Sequence, residues 1–373
     1  MKIQIEKQAF LEGLETVKGT VGKETHLPIL KSVKITAEEG NLFLHTTNLA
    51  TGTRVCLKKA TVIEPGEALC DATRLLAIVK NLPESELKLA TKENYCLTVG
   101  CGKACFTLTG LLPDEFPQAA TPPEENGFDL GEEFFSSLNK VKNAASKDEV
   151  RFDLTGVYFS NDVVATDGVR LHLVKKTYPV KGIIVPLEFV NLILRLRKNG
   201  WGQRMRACCS DTMIFLYTKN LLVYSRLVDA EFPDYAVAIP QHHTRSATLE
   251  KEELSQVIRR VLLMSDKSNH IRCEFSENRL RVGSATPGIG EASEELEATL
   301  DPQDGKPFTI ALNGRQVLDA LETLEEDEVT FLLNGKESPL TIKEKASLYL
   351  LMPILVEAED QEEEESEPQP ASN

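Results

Sequence analysis

Three observations predict an α+β architecture of three like modules. A pair of amphipathic helices occurs three times along the 373 residues, at a spacing of about 120. The text between the helices alternates apolar and polar residues, as half-buried strands do. Glu-Gly, Asp-Gly and Asn-Gly steps punctuate it where hairpins would turn. Each module should therefore be an antiparallel sheet backed by two helices. A period of that length is a whole domain, far longer than a solenoid repeat.

In the first module a short alternating segment leads into a helix with Phe10, Leu14 and Val17 at i, i+4 and i+7. That spacing makes one apolar stripe. A second helix is expected over 71–80, where Asp71 suits the N-cap. Segments 87–91 and 95–99 alternate as strands, and Glu39-Gly40 marks a turn. The phrase Leu111-Leu-Pro-Asp-Glu-Phe-Pro117 closes the module and recurs as Leu227-Val-Asp-Ala-Glu-Phe-Pro233 in the next.

The second module repeats the stripe as Phe134, Leu138 and Val141, and its second helix is expected over 186–195. Pro186 suits a first helical turn. Segments 150–154, 156–159 and 163–165 are β-branched and aromatic, so they read as strands, with Asp167-Gly168 as the following turn. The third module carries Leu254, Ile258 and Val261, then a helix over 313–321 with Asn313 at its N-cap, and an Asn334-Gly335 turn. Periodicity stops at 119–127 and 240–245, where Pro and polar residues cluster as linkers. The expected modules are 1–121, 127–240 and 246–356, followed by a tail at 357–373.

The net charge of −15 is unevenly spread. Residues 357–373 hold eight acids and no base, so the rest of the chain carries −7. This tail has almost no apolar residue and is expected to be disordered. An acidic chain does not grip DNA over its whole surface. Yet Lys140, Lys142 and Lys147 follow one another without an acid over 134–147, as do Arg195, Arg197 and Lys198 over 189–198. Arg259, Arg260 and Lys267 stand against only Asp266 over 254–267. Basic helices on an acidic body suit an attractive lumen with a repulsive outside. On charge alone, solvated helix faces explain the pattern equally well.

Catalytic signatures are missing. There is no phosphate-cradling G-x-x-x-x-G-K-[ST], no G-x-S-x-G and no H-E-x-x-H. Cys101 and Cys105 have no second pair, and Cys208 and Cys209 would point to opposite faces of a strand, so no metal or cofactor is expected. The eight cysteines are expected to be free thiols. No apolar run reaches a membrane span, and the start of the chain does not resemble a secretory leader.

Thr166-Asp-Gly-Val-Arg-Leu171, Leu27-Pro-Ile-Leu30, Phe232-Pro-Asp-Tyr235 and Leu351-Met-Pro353 stand in the order and spacing of one family. Over about residues 1–356 the chain resembles the bacterial DNA sliding clamps, the β subunits of DNA polymerase III. The resemblance implies a ring-shaped, head-to-tail homodimer with helices inside and sheets outside. It implies no catalysis and no cofactor. It implies a processivity factor that encircles double-stranded DNA without reading sequence. The implied partners are the DNA polymerase III alpha subunit, the clamp loader and other proteins with clamp-binding motifs, in the bacterial cytoplasm at the nucleoid. A non-DNA scaffold of triplicated α+β modules is the alternative.

The resemblance also maps residues. A hydrophobic pocket for partner peptides, between the second and third modules in the family, maps to Leu154, Thr166, Gly168, Arg170, Leu171, Pro233, Leu350, Met352, Pro353 and Ile354. Without the other motifs, 166–171 reads as a plain Asp-Gly hairpin with a core leucine. Val237 and Ala238 depart from the family's basic-then-apolar pair. The DNA lining would be drawn from Lys23, Arg74, Lys80, Lys140, Lys142, Lys147, Arg195, Arg197, Lys198, Arg259 and Arg260. Glu24, Leu187 and Glu188 stand where the family places Lys or Arg. The dimer contact would set Ile78, Phe106 and Leu108 against Leu263 and Met264. The acidic tail starts just after Pro353 and is expected to hover over the pocket, disfavouring acidic partners.

Overall fold

The computed structural model describes residues 1–355, apart from 24–25, 39, 124–126, 202–203 and 303–305. The acidic tail, Glu24 and Glu39 therefore lie outside the described residues. The chain divides into two compact units, the first Met1–Tyr235 and the second beginning at Ala236.

Among the described residues six α-helices occupy the expected places: α1 (Lys7–Val17), α2 (Ala72–Asn81), α3 (Glu132–Val141), α4 (Leu187–Leu196), α5 (Lys251–Val261) and α6 (Gly314–Leu321). All nine stripe residues of α1, α3 and α5 are buried, so each stripe faces a core. The Asp71 carboxylate accepts the Arg74 N–H at 2.7 Å, and the Asn313 side chain accepts those of Arg315 and Gln316 at 3.1 and 3.2 Å. Each cap satisfies N–H groups that have no partner within the helix. Pro186 stands one residue before α4, extended, as the last residue of strand Ile183–Pro186.

The first unit holds two helix pairs and one continuous core running from Ile3 to Val223. A five-stranded sheet has the order Thr61–Glu64, Lys2–Glu6, Glu86–Thr91, Leu97–Cys101, Ala104–Leu108. An eight-stranded sheet runs on from the second module into the first, because Leu221–Arg226 pairs antiparallel with Thr51–Leu57. This seam makes one unit of two modules. Tyr224 faces Gly52 across it, and its ring fills the space that a Cβ there would need. His45 Nε2 and Tyr224 Oη are 3.0 Å apart behind the seam. Ile183–Pro186, Gly156–Phe159, Val163–Thr166 and Arg170–Val174 follow one another as antiparallel neighbours.

The second unit has its own core, from Ala247 to Leu351. Ser347–Leu351, Leu340–Glu344, Glu328–Leu333, Arg245–Glu250 and Thr299–Asp301 pair in that order. Gly290–Glu297, Arg279–Thr286, His270–Ser276 and Phe308–Asn313 do the same.

Two expectations need correction. Segment 150–154 is no strand; Glu149–Leu154 is a 3-10 turn. Asp148 accepts the Val150 N–H at 3.0 Å, and Thr155 Oγ1 donates to the Phe152 carbonyl at 2.7 Å. These side chains offer the backbone a local alternative to a ladder. Tyr95 belongs to the 3-10 turn Glu93–Tyr95, and the strand starts only at Leu97. The expected turn at Asn334-Gly335 does join the antiparallel strands Glu328–Leu333 and Leu340–Glu344, and Asn334 has a second task. Its Oδ1 accepts the Thr244 N–H at 2.9 Å and its Nδ2 donates to the His242 carbonyl at 2.8 Å, which pins the linker before Arg245.

Candidate functional site

In the first unit the hairpin between Val163–Thr166 and Arg170–Val174 carries four of the mapped pocket residues, Thr166, Gly168, Arg170 and Leu171. Thr166 Oγ1 donates to the Arg170 carbonyl at 2.6 Å and accepts the Gly168 N–H at 3.1 Å. Asp167 accepts the backbone N–H of Arg170 at 3.0 Å and its Nε–H at 2.9 Å. Arg170 is thereby held in one orientation at the hairpin mouth. Gly168 takes φ +89°, which favours glycine, and Arg151 lies where its side chain would be. Leu154 and Leu171 are buried.

Below them His172 is wholly buried, and its Nδ1–H donates to the Lys140 carbonyl at 3.2 Å. Burial, and then the Arg170 charge, pull the His172 imidazole down to about 3, so it is neutral. Pro233 is exposed but fixed by its neighbours. Phe232 stacks on Tyr158 at 4.5 Å, and the Tyr235 hydroxyl donates to Asp162 at 3.0 Å.

In the second unit Leu350 is buried in the last strand, while Met352 is exposed. Pro353 and Ile354 are half-buried. The Ile354 N–H donates to the Ala311 carbonyl at 2.8 Å, which seats the chain end beside Phe308–Asn313. Asp167 and Phe232, which lie inside the quoted motifs, and Arg151, which lies outside them, are supporting residues beyond those mapped to the pocket. Asp167 leaves a further signal in the sequence, an acid three residues before a base across an expected turn.

The basic residues fall into distinct groups. Lys140 is buried, against expectation, because it lies on the core side of α3. Lys80 pairs with Glu15 at 2.5 Å, and Lys18 pairs with the same carboxylate. Burial raises the Glu15 pKa, but the hydrogen bonds and charges of Lys18 and Lys80 prevail and hold it below the usual carboxylate range. Arg197 pairs with Glu132 and stacks on Phe135 at 5.1 Å. Arg260 is bidentate on Glu294 at 2.6–3.1 Å, and Arg259 lies 3.5 Å from Glu322. Lys23, Arg74, Lys142, Lys147, Arg195 and Lys198 make no ion pair among the described residues.

The residues mapped to a dimer contact differ in exposure. Leu263 is 75% exposed, Met264 36% and Phe106 41%, whereas Leu108 is buried in its own core and Ile78 half-buried. Ala104–Leu108 and Gly290–Glu297 are each the last strand of their sheet, with one edge unpaired among the described residues.

The eight cysteines are free. Among the described residues no helix is long and apolar enough to cross a membrane.

Triplicated α+β modules with exposed basic helix ends and a polar-pinned hairpin define a DNA-clamp protein. Three family models match in succession: the DNA polymerase III beta subunit N-terminal domain over 1–120, its central domain over 131–234, and its C-terminal domain over 237–355. The beta sliding clamp of Vibrio cholerae is 28% identical over 95% of this chain and 100% of that protein. That of Escherichia coli K12 is 27% identical over 95% and 100%. A Bartonella birtlesii sliding clamp, solved bound to griselimycin, superposes with a TM-score of 0.89 at 27% identity, over 95% of this chain and 100% of that one. The chain belongs to the bacterial beta sliding clamps, the DNA polymerase III beta subunits that act as processivity factors.

Proposed function

We propose that this chain works without catalysis, as a head-to-tail homodimeric ring that encircles duplex DNA and tethers the replicative polymerase. Modules 1–121, 127–240 and 246–356 would be its three building blocks. The open strand edges at Ala104–Leu108 and Gly290–Glu297 support closure by strand pairing, with Phe106, Leu263 and Met264 supplying exposed apolar contacts and Ile78 a lesser one. Leu108, being buried, would support the strand from behind. Phosphate contacts would come from the unpaired bases Lys23, Arg74, Lys142, Lys147, Arg195 and Lys198, without base readout. Such a ring would work in the bacterial cytoplasm, at the nucleoid.

Partner proteins, among them the polymerase alpha subunit and the clamp loader, would dock short peptides on Leu154, Thr166–Leu171 and Pro233 of the first unit and on Leu350–Ile354 of the second. The observation that carries this is the hairpin of Thr166 and Arg170, whose polar groups are pinned before any ligand arrives. Pre-organisation of that kind lowers the ordering cost of binding. Each apolar anchor buried would contribute about 1.5–3 kcal/mol. The griselimycin-bound relative supports a ligand-binding clamp surface of this kind. The scaffold alternative is not favoured.

Fluorescence polarisation with a Gln-Leu-x-Leu-Phe-type peptide tests the pocket. The account expects saturable binding that is abolished in the Arg170→Ala, Met352→Ala double variant. Equal binding by both would refute the assignment.

A further inference from the structure

The three helix pairs can be superposed by sequence alone, and one position on them decides where positive charge survives. Glu15, Asn139 and Arg259 each stand five residues after the first stripe residue of their module. Lys80, Arg195 and Glu322 each stand nine residues after the residue preceding the second helix. In the first module the Glu15 carboxylate holds Lys80 at 2.5 Å and also Lys18. In the third module the polarity is reversed, with Arg259 on Glu322 at 3.5 Å. The neighbouring Arg260 is closed bidentately on Glu294.

The second module breaks the rule. Its counterpart of Glu15 is Asn139, which carries no charge. The counterparts of Lys18 and Lys80 are Lys142 and Arg195. One amide in place of one carboxylate thus leaves two bases uncompensated, and among the described residues no carboxylate pairs with either. Lys198 adds a third. It lies in a turn fixed on both sides, by Arg197 on Phe135 and by the Trp201 indole N–H, which donates to Thr16 Oγ1 at 3.1 Å. Burial, and then the nearby Lys198 charge, hold the Lys142 ammonium below the usual lysine range. Gathering like charges costs free energy in the absence of an anion.

We infer that Lys142, Arg195 and Lys198 form the principal phosphate-contacting cluster of this clamp, so that the duplex is gripped chiefly by the second module. The inference rests on the DNA-encircling reading above. A base locked to a carboxylate presents little net charge to a phosphate, and what remains is screened within about 8 Å. Lys23, Arg74 and Lys147 remain as isolated contacts.

Equilibrium binding of the full-length protein to a short mixed-sequence linear duplex, followed by fluorescence anisotropy across a salt series, tests this. Asn139 is exposed, so Asn139→Glu should fold and recreate the first module's ion pairs. It should reduce the slope of log K against log salt by about 2, at about 0.9 for each phosphate no longer neutralised. Gln256→Glu adds the same charge at an exposed position of α5 and should reduce the slope by less than half as much. Glu15→Asn, which frees Lys18 and Lys80, should steepen it. Equal reductions from the first two variants, or none from Asn139→Glu, would overturn the assignment and leave the DNA reading standing. No duplex binding by the wild type at low salt would overturn both.

Discussion

The Arg151 guanidinium lies across Gly168 and donates to the Asp167 carbonyl at 3.1 Å. Asp167 in turn holds Arg170, so one cation spans the hairpin while the other is aimed from its mouth. The glycine is required twice, for its φ of +89° and for the space Arg151 occupies. Gly168→Ala should cost about 1–2 kcal/mol through the left-handed backbone alone. It should also weaken motif-peptide affinity at least tenfold by releasing Arg151 and tilting the hairpin. Denaturant melts and peptide titration measure the two effects, and an alanine variant with native affinity would show that the hairpin does not position the site.

The seam between the first two modules depends on Gly52 meeting the Tyr224 ring. Gly52→Ala should destabilise the protein by about 1–3 kcal/mol, because the ring and its hydrogen bond to His45 must shift together. Chemical denaturation gives the value. Undiminished stability would mean that the strand pairing tolerates a gap.

Stability should also fall in mild acid. Burial, with a smaller contribution from Arg54, lowers the His45 imidazole to about 4, and burial with Arg170 lowers that of His172 to about 3. Unfolded histidines titrate near 6.5, so below that pH the unfolded chain takes up protons that the native state refuses. The contribution is full above about pH 6.5 and is lost as pH falls, toward 4 for His45 and toward 3 for His172, by up to about 1.4 kcal/mol per pH unit for each histidine. Unfolding free energies at pH 7 and pH 5 should differ in this sense, and His45→Gln should flatten the difference. A wild-type protein equally stable at both would contradict the burial account.

Leu263, 75% exposed on the turn after α5, is the most exposed of the residues mapped to the dimer contact. Leu263→Lys would place an uncompensated charge in an apolar contact and should yield monomers in analytical ultracentrifugation. A dimer of unchanged affinity would move the interface elsewhere.

Much of the fold is legible in the sequence because it is local. The stripes at Phe10, Phe134 and Leu254, and the caps Asp71 and Asn313, depend on residues within a turn or two of one another. The family motifs are equally readable, since short phrases such as Thr166–Leu171 keep their spacing. Segment 150–154 misleads because its alternation is strand-like, whereas Asp148 and Thr155 supply local hydrogen bonds that close a turn. The charges mislead for a different reason. Lys140 looks like its neighbours, but its side of α3 faces the core. Arg260 and Glu294 are 34 residues apart, and nothing in the intervening text announces their pairing. Which bases remain unpaired is therefore a property of the fold.

The central claim is that this chain holds DNA by encircling it, and topology tests that most directly. The protein would be loaded onto a nicked circular plasmid with a bacterial clamp loader and ATP, isolated by gel filtration, and challenged by a single restriction cut. The account predicts co-elution with the intact circle and release once the circle is linearised, at salt that abolishes ordinary electrostatic binding. Equal retention on circle and line, or none on the circle, would contradict it.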